Sequence, residues 1–433
     1  MTYRPVVDHI AVPAYLDPLA AILFVAAFAT AALLTLRRPA YALGALLIAV
    51  PLDFPRDVLV TTVSLPKCVL LGVLVGLTAS PGIWRDLRRP PAPLLLAALS
   101  LYLFATALSA AGALHLVAVA RETLKWFEYL AFFVAAFCCY RLDGDDPPIV
   151  ACAAAGAIVV CLSALAQEFA GAPSGLYIGS AIVPRIAGLL EGPNQLSAYC
   201  AIAGAILGAW AIVRRDTLTA IALGLVVFAD VLTFSRAGII ALAIVFAIVV
   251  LWSGRRAWPA LRPALVGLVA GAVGCAWWAI YAHTPGVLRI SLAPSAYAGG
   301  VGNRGQLWSA AWRMFRTHPL LGVGAGNFEF ELPEYGVYGV RTHANSWYLQ
   351  SLAEGGVVLF GATLALVAAS IGAFLRRPLL PSLRAQSPWV AAALAASIAL
   401  AVHQIVDDFV FYPKVGAPWF LLLGIAAAAF RNP

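Results

Sequence analysis

The sequence predicts an all-α, polytopic integral membrane protein with about 12–13 transmembrane helices and one large outer loop that bears short helices. Composition is the first reason for this prediction. The 433 residues are 62% hydrophobic and 11% charged, with a mean hydropathy of +0.90, which is more apolar surface than a soluble core can use. The second reason is that the apolar residues form runs able to cross, or nearly cross, the ~30 Å hydrocarbon layer of a bilayer.

Thirteen of these runs follow one another along the chain, and the second and the last are the shortest. They cover residues 17–36, 40–55, 62–79, 93–111, 120–140, 148–170, 195–213, 217–233, 237–253, 263–281, 348–375, 387–406 and 416–430. We therefore divide the chain into ten N-terminal spans in residues 1–281, an outer loop with an amphipathic helix in 282–347, and C-terminal spans in 348–433.

Arginine residues predict the orientation, because short cytoplasmic loops of membrane proteins are enriched in Arg and Lys. They occupy every second connection, at Arg37, Arg38, Arg85, Arg88, Arg89, Arg141, Arg214, Arg215, Arg255, Arg256, Arg262, Arg376, Arg377, Arg384 and Arg431. The other connections, and the N-terminus, are then outside. The formal charge of +8 reflects this orientation, since no basic helix with interleaved aromatic residues indicates nucleic-acid binding. The seven cysteines lie in apolar runs and are typical of small buried residues.

Nine ionisable residues lie within or beside the runs, and this topology places all of them near the outer ends. They are Lys67, Arg121, Glu122, Lys125, Glu128, Glu168, Asp230, Asp407 and Asp408. Charges at membrane depth are costly and usually face a cavity or a partner. Single residues of this kind often snorkel or form structural pairs. Nine on one side predict a water-accessible, charge-lined chamber at the outer leaflet.

Two outer connections place arginines close to helix starts. In VPRIAGLLEGPNQLSAY, residues 183–199, Arg185 precedes a Gly-Pro-Asn turn, and Asn194 is expected to cap the next helix. In TFSRAGII, residues 233–240, Ser235 is the expected N-cap and Arg236 lies in the first turn, where the helix dipole disfavours a cation. Either a negatively charged ligand or snorkelling toward lipid phosphate explains such an arginine.

The outer loop contains NRGQLWSAAWRMFRTHPLLGVGAGNF, residues 303–328. Arg304, Trp308, Trp312 and Phe315 recur at helical spacing, which predicts an amphipathic helix on the membrane surface with its aromatic residues toward lipid. The GVGAGN that follows lacks the preceding strand and the Lys-Ser/Thr ending of a phosphate loop, so we interpret it as a flexible turn.

The stretch RTHANSWYLQSLAEGG, residues 341–356, directly precedes an apolar run. Helical spacing predicts one face that carries His343, Trp347, Gln350 and Glu354, before a glycine pair that allows a bend. Among six histidines, His343 alone combines an outer location, a nearby arginine (Arg341) and a helix N-terminus, which favours a neutral imidazole able to accept a proton. His403, four residues before Asp407, is a secondary candidate.

Several arginines at the outer leaflet suit a phosphate or pyrophosphate headgroup, because guanidinium groups bind such oxygens bidentately. One histidine offers general-base activation of a hydroxyl. Without a second histidine beside it, we expect no metal site, and we expect no other cofactor. No nucleotide motif is present, so the energy must arrive with the substrate. These features favour glycosyl transfer from a lipid-linked sugar pyrophosphate.

Three stretches, in their order and spacing, resemble the O-antigen ligase superfamily, which includes O-antigen ligases, O-antigen polymerases and O-linked oligosaccharyltransferases. They are TFSRAGIIALAIV, NRGQLWSAAWRMFRTHPLLGVGAGNFE and THANSWYLQSLAEGGVVLFG. The resemblance covers roughly residues 183–360. It implies a dozen or so helices in a bacterial inner membrane, with one large periplasmic loop between late spans.

The resemblance also assigns residues. The family's Ser-Arg pair at a helix start falls on Ser235-Arg236, and its arginine before the Trp-containing helix falls on Arg304. Its upstream arginine falls on Arg185, and its catalytic histidine on His343. These assignments imply that the three arginines bind pyrophosphate while the histidine deprotonates the acceptor. Supporting positions near them are Arg341, Asn345, Glu354, Ser235 and Asn194.

Many family members read His-x-His-Asn where this chain reads His343-Ala-Asn345-Ser346, so a mechanism that needs two imidazoles does not carry over. The resemblance implies a metal-independent, inverting transfer of O-antigen polysaccharide from undecaprenyl pyrophosphate to lipid A–core at the periplasmic face. Membrane lipid is the other expected partner, and neither nucleic acid nor nucleotide is expected. The moderate length of the outer loop favours a ligase.

Three other functions stay open. A polymerase would join two lipid-linked glycans, and an O-linked oligosaccharyltransferase would use a protein hydroxyl. A polyisoprenoid-phosphate transporter, a different class of protein, would place charged residues along the whole depth of its path, whereas here they cluster at one end.

Overall fold

The structure is a computed structural model that describes residues 18–53, 56–58, 61–80, 92–169, 174–178, 181–281, 301–375 and 386–430. Outside these ranges lie residues 1–17, residues 282–300 of the predicted outer loop, and seven arginines used to predict the orientation. The seven are Arg85, Arg88, Arg89, Arg376, Arg377, Arg384 and Arg431. The side chain of Glu168 is likewise outside the described part.

Each of the thirteen predicted apolar runs contains one helix. The ten N-terminal helices are α1 (Pro18–Arg37), α2 (Pro39–Ala49), α3 (Leu65–Thr78), α4 (Pro93–Leu108), α5 (Leu116–Leu142), α6 (Asp146–Phe169), α7 (Pro193–Arg214), α8 (Thr217–Leu232), α9 (Arg236–Ser253) and α10 (Trp258–Tyr281). The later helices are α11 (Val301–Thr317), the short α12 (Phe328–Glu331), α13 (Trp347–Gly372), α14 (Pro388–His403) and α15 (Pro413–Ala429). The predicted all-α class is confirmed.

Two short antiparallel hairpins accompany the helices, and the sequence analysis did not predict them. The first pairs β1 (Arg56–Val58) with β2 (Thr61–Val63), and the second pairs β3 (Ser174–Ile178) with β4 (Ala181–Arg185). In the second hairpin Arg185 is the last residue of its strand, paired with Ser174. Three-residue and five-residue strands are too short to leave a clear alternating pattern in the sequence.

Within the described residues, seven helical stretches are long and apolar enough to cross a membrane. The longest, Arg236–Trp277, joins α9 and α10. Five further apolar helices are 10–17 residues long, namely α2, α3, α8, α14 and α15. The chain is therefore a multi-pass membrane protein.

The helices pack around α7 and α14, whose faces are rich in alanine. Residues from Gln195 to Ile212 of α7 are buried without interruption, and nearly all of α14 is buried. Small side chains let helix backbones approach closely, which is how helices associate where lipid removes the hydrophobic driving force. α14 contacts α7, α9 and α15, and α15 also packs along α5.

Trp347 anchors the segment before α13 to the centre of the bundle. Its indole Nε1–H donates to the Tyr102 hydroxyl at 3.1 Å, and its ring stacks 6.2 Å from that of Trp126. Its backbone N–H donates to the carbonyls of Gln404 and Asp407 at 3.1 and 3.0 Å. The anchor fixes residues 341–346 against the connection between α14 and α15.

The amphipathic character predicted for the outer helix is confirmed in α11, although its buried face differs from the aromatic stripe. Leu307, Ala310 and Met314 are buried against residues that include Phe328 and Ala353. Trp312 is 51% exposed beside Phe315. These buried residues face the protein because α11 packs against α13, and Trp312 is on the exposed side of the helix.

The predicted bend in α13 is present at Gly356, which has φ 58° and ψ −153°. The bend allows the backbone of Pro319 and Leu320 to lie against α13. The Val357 N–H donates to the Pro319 carbonyl at 2.9 Å. A Cβ at Gly356 would lie 2.4 Å from the Leu320 carbonyl carbon, so glycine is required for two reasons.

We expect Gly356→Ala to lower the stability of the protein by on the order of 1–3 kcal/mol from the unfavourable φ alone, with a further loss from the backbone clash. Gly361→Ala in the same helix is the control, because nothing lies within 4 Å of its added Cβ. Thermal unfolding in detergent, followed by tryptophan fluorescence, measures both variants. Equal midpoints for the two would contradict the structural requirement for glycine at 356.

Candidate active site

Arg185 reaches from the end of β4 to the starts of two helices. Its Nε–H donates to the Thr233 carbonyl at 2.6 Å, and a terminal N–H donates to Asn194 Oδ1 at 2.9 Å. Thr233 precedes α9 by three residues, and Asn194 is the second residue of α7. The Arg185 guanidinium thus links the connection before α9, which leads into Arg236, to the start of α7.

Asn194 does not cap α7, so that interpretation was wrong. The cap residue is Gly192, and the helix begins with Pro193. The Asn194 side chain instead accepts from Arg185 and donates from Nδ2 to Asp407 Oδ2 at 2.8 Å. Proline is favoured at the first helical position and needs no side-chain cap, which frees the amide for these two contacts.

Asp407 brings the second arginine into the cluster. Its Oδ2 lies 3.8 Å from a terminal nitrogen of Arg304, near the start of α11. Its Oδ1 accepts the backbone N–H of Asp408 at 2.9 Å, and only 2% of the residue is exposed. In the sequence Asp407 lies four residues after His403, and nothing there predicts its contact with Arg304.

The two arginines repel each other electrostatically across this carboxylate. Burial, followed by the positive charge of Arg304, lowers the pKa of Arg185 to about 10, while Asp407 opposes the shift. Arg185 still carries its charge at neutral pH. Arg304 pairs with Asp407, and Arg185 reaches the same carboxylate only through Asn194. Two guanidinium groups near a single carboxylate can accept a further anion, because a phosphate would relieve their mutual repulsion.

His343 lies in the segment before α13, so its predicted place on a helix face was wrong. Ser346 is the cap residue, with its hydroxyl accepting the Leu349 N–H at 3.4 Å, and Asn345 has φ 51°. A left-handed residue cannot belong to the helix, and asparagine is one of the few residue types that adopts this conformation readily. The turn swings His343 away from the α13 axis.

Both ring nitrogens of His343 have hydrogen-bonding partners. Nδ1 accepts the backbone N–H of Asn345 at 3.1 Å, and Nε2 lies 2.9 Å from the Tyr412 hydroxyl. A backbone N–H can only donate, so the proton of the neutral ring is on Nε2, which then donates to Tyr412. Asn345, one of the supporting residues, therefore sets the tautomer of His343.

The surroundings keep His343 neutral, as the sequence analysis expected. Burial lowers its pKa below the ordinary value of 6.5, and the charges of Arg304 and Lys125 lower it further. The carboxylate of Asp407 acts in the opposite direction. The physical cause is mainly loss of solvent, whereas the sequence analysis had attributed the shift to a helix N-terminus.

Glu354 supports the His343 segment through Gln350. Its Oε1 accepts from Gln350 Nε2 at 2.7 Å and from the Phe328 N–H at 3.2 Å. Gln350 Oε1 in turn accepts the N–H of Ala344, the residue after His343, at 2.6 Å. Glu354 therefore contributes to the position of the loop, and the backbone of Gly326 is a further hydrogen-bonding partner of its carboxyl group.

The GVGAGN segment is buried and tightly held, so the interpretation as a flexible turn was wrong. Consecutive N–H groups of Val323, Gly324 and Ala325 donate to Ala353 O, Glu354 O and Ser109 Oγ at 2.8–3.0 Å. These amides are occupied by protein groups, so the segment is not a phosphate-binding loop. It holds α11 against α13.

Ser235 caps α9 as predicted, with its hydroxyl accepting the Gly238 N–H at 3.3 Å. Arg236 is the first residue of that helix and its side chain is exposed. Arg236 lies three residues after Thr233, whose carbonyl accepts the hydrogen bond from Arg185. Arg341 is also exposed, and its guanidinium lies 5.2 Å from the centre of the Phe330 ring.

Several of the nine outer ionisable residues pair with one another. Lys67 contacts Glu128 at 2.9 Å, and Lys125 contacts Glu122 at 2.6 Å. Next to the second pair, a cavity of about 20 Å³ is lined by residues that include Glu122, Lys125 and Asp408. This volume suits roughly one water molecule. The larger water-accessible chamber stays a prediction.

Four residues near His343 were missed as site residues: Asp407, Tyr412, Gln195 and Lys125. For Asp407 the sequence signals were its place at an outer helix end and its spacing from His403, and a tyrosine before a proline gives no signal at all.

Among the described residues, no group of three or more His, Cys, Asp or Glu side chains is arranged to hold a metal ion.

Comparison with protein families gives an independent result. A family model described as O-antigen ligase matches residues 219–364. This part of the chain is therefore similar to O-antigen ligases. The match spans about one third of the chain and includes Arg236, Arg304 and His343, whereas Arg185, Asn194 and Asp407 lie outside it. A comparison with curated proteins finds no match.

Over residues 219–364 the match confirms the resemblance found in the sequence. The geometry adds what the family match does not contain. The starts of α7 and α11 and the segment before α13 meet at the connection between α14 and α15, where Asp407 and Tyr412 lie.

We expect Arg304→Gln to weaken binding of a short polyprenyl pyrophosphate by about tenfold, because charge-assisted hydrogen bonds contribute ~1.5–3 kcal/mol. Arg316→Gln is the control, since Arg316 is an exposed residue of the same helix. Fluorescence titration of purified protein measures both affinities. An unchanged affinity in Arg304→Gln, or an equal loss in both variants, would exclude a specific anion site at Arg304.

Proposed function

We propose that the protein transfers a saccharide from a polyprenyl pyrophosphate to an acceptor hydroxyl, as an O-antigen ligase that completes lipopolysaccharide. One observation carries the proposal: two half-buried arginines and a neutral histidine lie around Asp407, in a chain whose residues 219–364 match an O-antigen ligase family model. The donor would be undecaprenyl-pyrophosphate-linked O-antigen, and the acceptor would be lipid A–core.

Arg185 and Arg304 are proposed to bind the pyrophosphate, with Arg236 at the exposed start of α9 as a third cation. Their charges would stabilise the negative charge that develops on the leaving phosphate oxygen, which is the largest contribution that a preorganised site makes to this kind of reaction. Ser235, Asn194 and Arg341 would support the binding geometry.

His343 is the proposed general base. In the resting state the ring proton is on Nε2. The proton of the acceptor hydroxyl would therefore be taken up at Nδ1, once the Asn345 N–H no longer donates to that nitrogen. The nucleophile would then attack the anomeric carbon from the side opposite the pyrophosphate, with inversion. The site would face the periplasm of a bacterial inner membrane, in agreement with the positions of the described arginines at the other helix ends.

The test compares wild type and His343→Ala in detergent, with lipid-linked O-polysaccharide and rough lipopolysaccharide as substrates. Wild type should convert the acceptor to laddered lipopolysaccharide on a gel. His343→Ala should be slower by at least ~100-fold, the range typical of general-base catalysis. His318→Ala is the control, because His318 is an exposed residue hydrogen-bonded to Thr317.

Each other outcome supports a different function. Equal ladders from wild type and His343→Ala would exclude the base role. Longer free polymer without ligation would indicate a polymerase, and transfer to a protein hydroxyl would indicate an oligosaccharyltransferase. Lipid translocation with no new linkage would indicate a polyisoprenoid-phosphate transporter.

The rate should also depend on pH through His343. The pKa of His343 lies below 6.5, so the base form is present at neutral pH and is lost as pH falls through that lowered pKa. Asp407 favours the cationic ring, so Asp407→Asn should move the acid limb of the pH–rate profile to lower pH while reducing the rate. Glu334→Gln, at an exposed position, is the control. An acid limb that stays or moves upward in Asp407→Asn contradicts this electrostatic coupling.

A further inference from the structure

Tyr412 is the one side chain that the described contacts place on Nε2 of His343. It is the cap residue of α15, half-buried, with its hydroxyl 2.9 Å from Nε2 and its ring edge-on to the imidazole at 5.7 Å. Phe411 packs against the same imidazole at 5.4 Å. These contacts hold the hydroxyl within hydrogen-bonding distance of the ring nitrogen.

The hydrogen bonds through this pair run in one direction. The Asn345 N–H donates to Nδ1, and Nε2–H donates to the Tyr412 oxygen. The tyrosine oxygen therefore acts as an acceptor toward His343, which leaves its own proton to be donated elsewhere. Burial raises the pKa of Tyr412 above its ordinary value of 10.0, so the hydroxyl keeps that proton.

The direction decides which substrate atom the hydroxyl can assist. An attacking acceptor oxygen must lose a proton, and a hydrogen bond donated to it would weaken it as a nucleophile. A leaving phosphate oxygen gains negative charge, and a donated hydrogen bond stabilises it. Tyr412 is also on the arginine side of the site, because Gln195, next to Asn194, interacts with its hydroxyl.

We propose that Tyr412 is a further substrate-contacting residue, whose hydroxyl donates a hydrogen bond to the leaving oxygen of the pyrophosphate donor. This inference rests on the proposed function and deepens it. The imidazole then separates the two substrates: the acceptor lies at the Nδ1 edge, beside Asn345, and the donor pyrophosphate lies at the Nε2 edge, beside Tyr412.

The arrangement couples the two halves of the reaction. As the acceptor oxygen bonds to the anomeric carbon, its proton moves to Nδ1, and the bond between the anomeric carbon and the phosphate oxygen breaks. The imidazolium that forms is a stronger donor at Nε2, which makes the Tyr412 hydroxyl a stronger donor to the departing oxygen. The extra proton later leaves Nδ1 to water.

Tyr412→Phe keeps the ring and removes the hydroxyl. We expect kcat to fall by about 100-fold, the loss typical of removing one donor to a developing oxyanion, while KM for the donor changes by less than about threefold. Tyr348→Phe is the matched control, since that nearby hydroxyl donates only to the Ala401 carbonyl at 2.8 Å among its described contacts. Its kcat should stay within about twofold of wild type.

Replacing Tyr412 with 3-fluorotyrosine separates donation to the substrate from a positioning role. The more acidic phenol is a better donor and a poorer acceptor, so a substrate-contacting hydroxyl predicts an increased kcat. A hydroxyl that serves only to hold His343 predicts a decreased kcat, which would overturn the inference. Full activity in Tyr412→Phe would also overturn it, while inactive His343→Ala in the same assay would leave the proposed function intact.

Discussion

The site depends on one buried carboxylate, that of Asp407, where three segments distant in sequence meet. Removing a carboxylate from water costs several kcal/mol, so it is stable only with compensating partners. Asn194, the backbone of Asp408 and the guanidinium of Arg304 supply them. Because the partners come from α7, the α14–α15 connection and α11, satisfying this one charge fixes the mutual position of all three segments.

Trp347 transmits that constraint to the histidine. Its N–H donates to the carbonyl of Asp407, and its indole is held by Tyr102 at the centre of the bundle. Residues 341–346 form a segment that is too short to move independently of Trp347. The left-handed Asn345 then determines which way the imidazole points. A helix through this stretch would instead have turned His343 along the axis of α13, away from Tyr412.

Local pattern predicted the helices, the cap at Ser235 and the bend at Gly356, because each depends on residues close in sequence. The contacts that make the site do not. Asn194 and Asp407 are 213 positions apart, and nothing in either stretch indicates the other. The interpretation of Asn194 as a cap failed for the same reason: its local role was satisfied by Pro193 and Gly192, and a distant carboxylate bound the amide. The hairpin that carries Arg185 was likewise too short to predict.

The proposed roles of the two edges of the imidazole also indicate where ligases, polymerases and protein-directed transferases would differ. Ligases, polymerases and protein-directed transferases need the same departure of a pyrophosphate, so the arginines and Tyr412 would serve all three. Only the acceptor differs, and it is proposed to approach the Nδ1 edge. That edge is formed by residues 341–345, with the exposed Arg341 stacked on Phe330 of α12. Acceptor identity is therefore expected to depend on α12 and the segment before α13, while the chemistry depends on the α14–α15 connection.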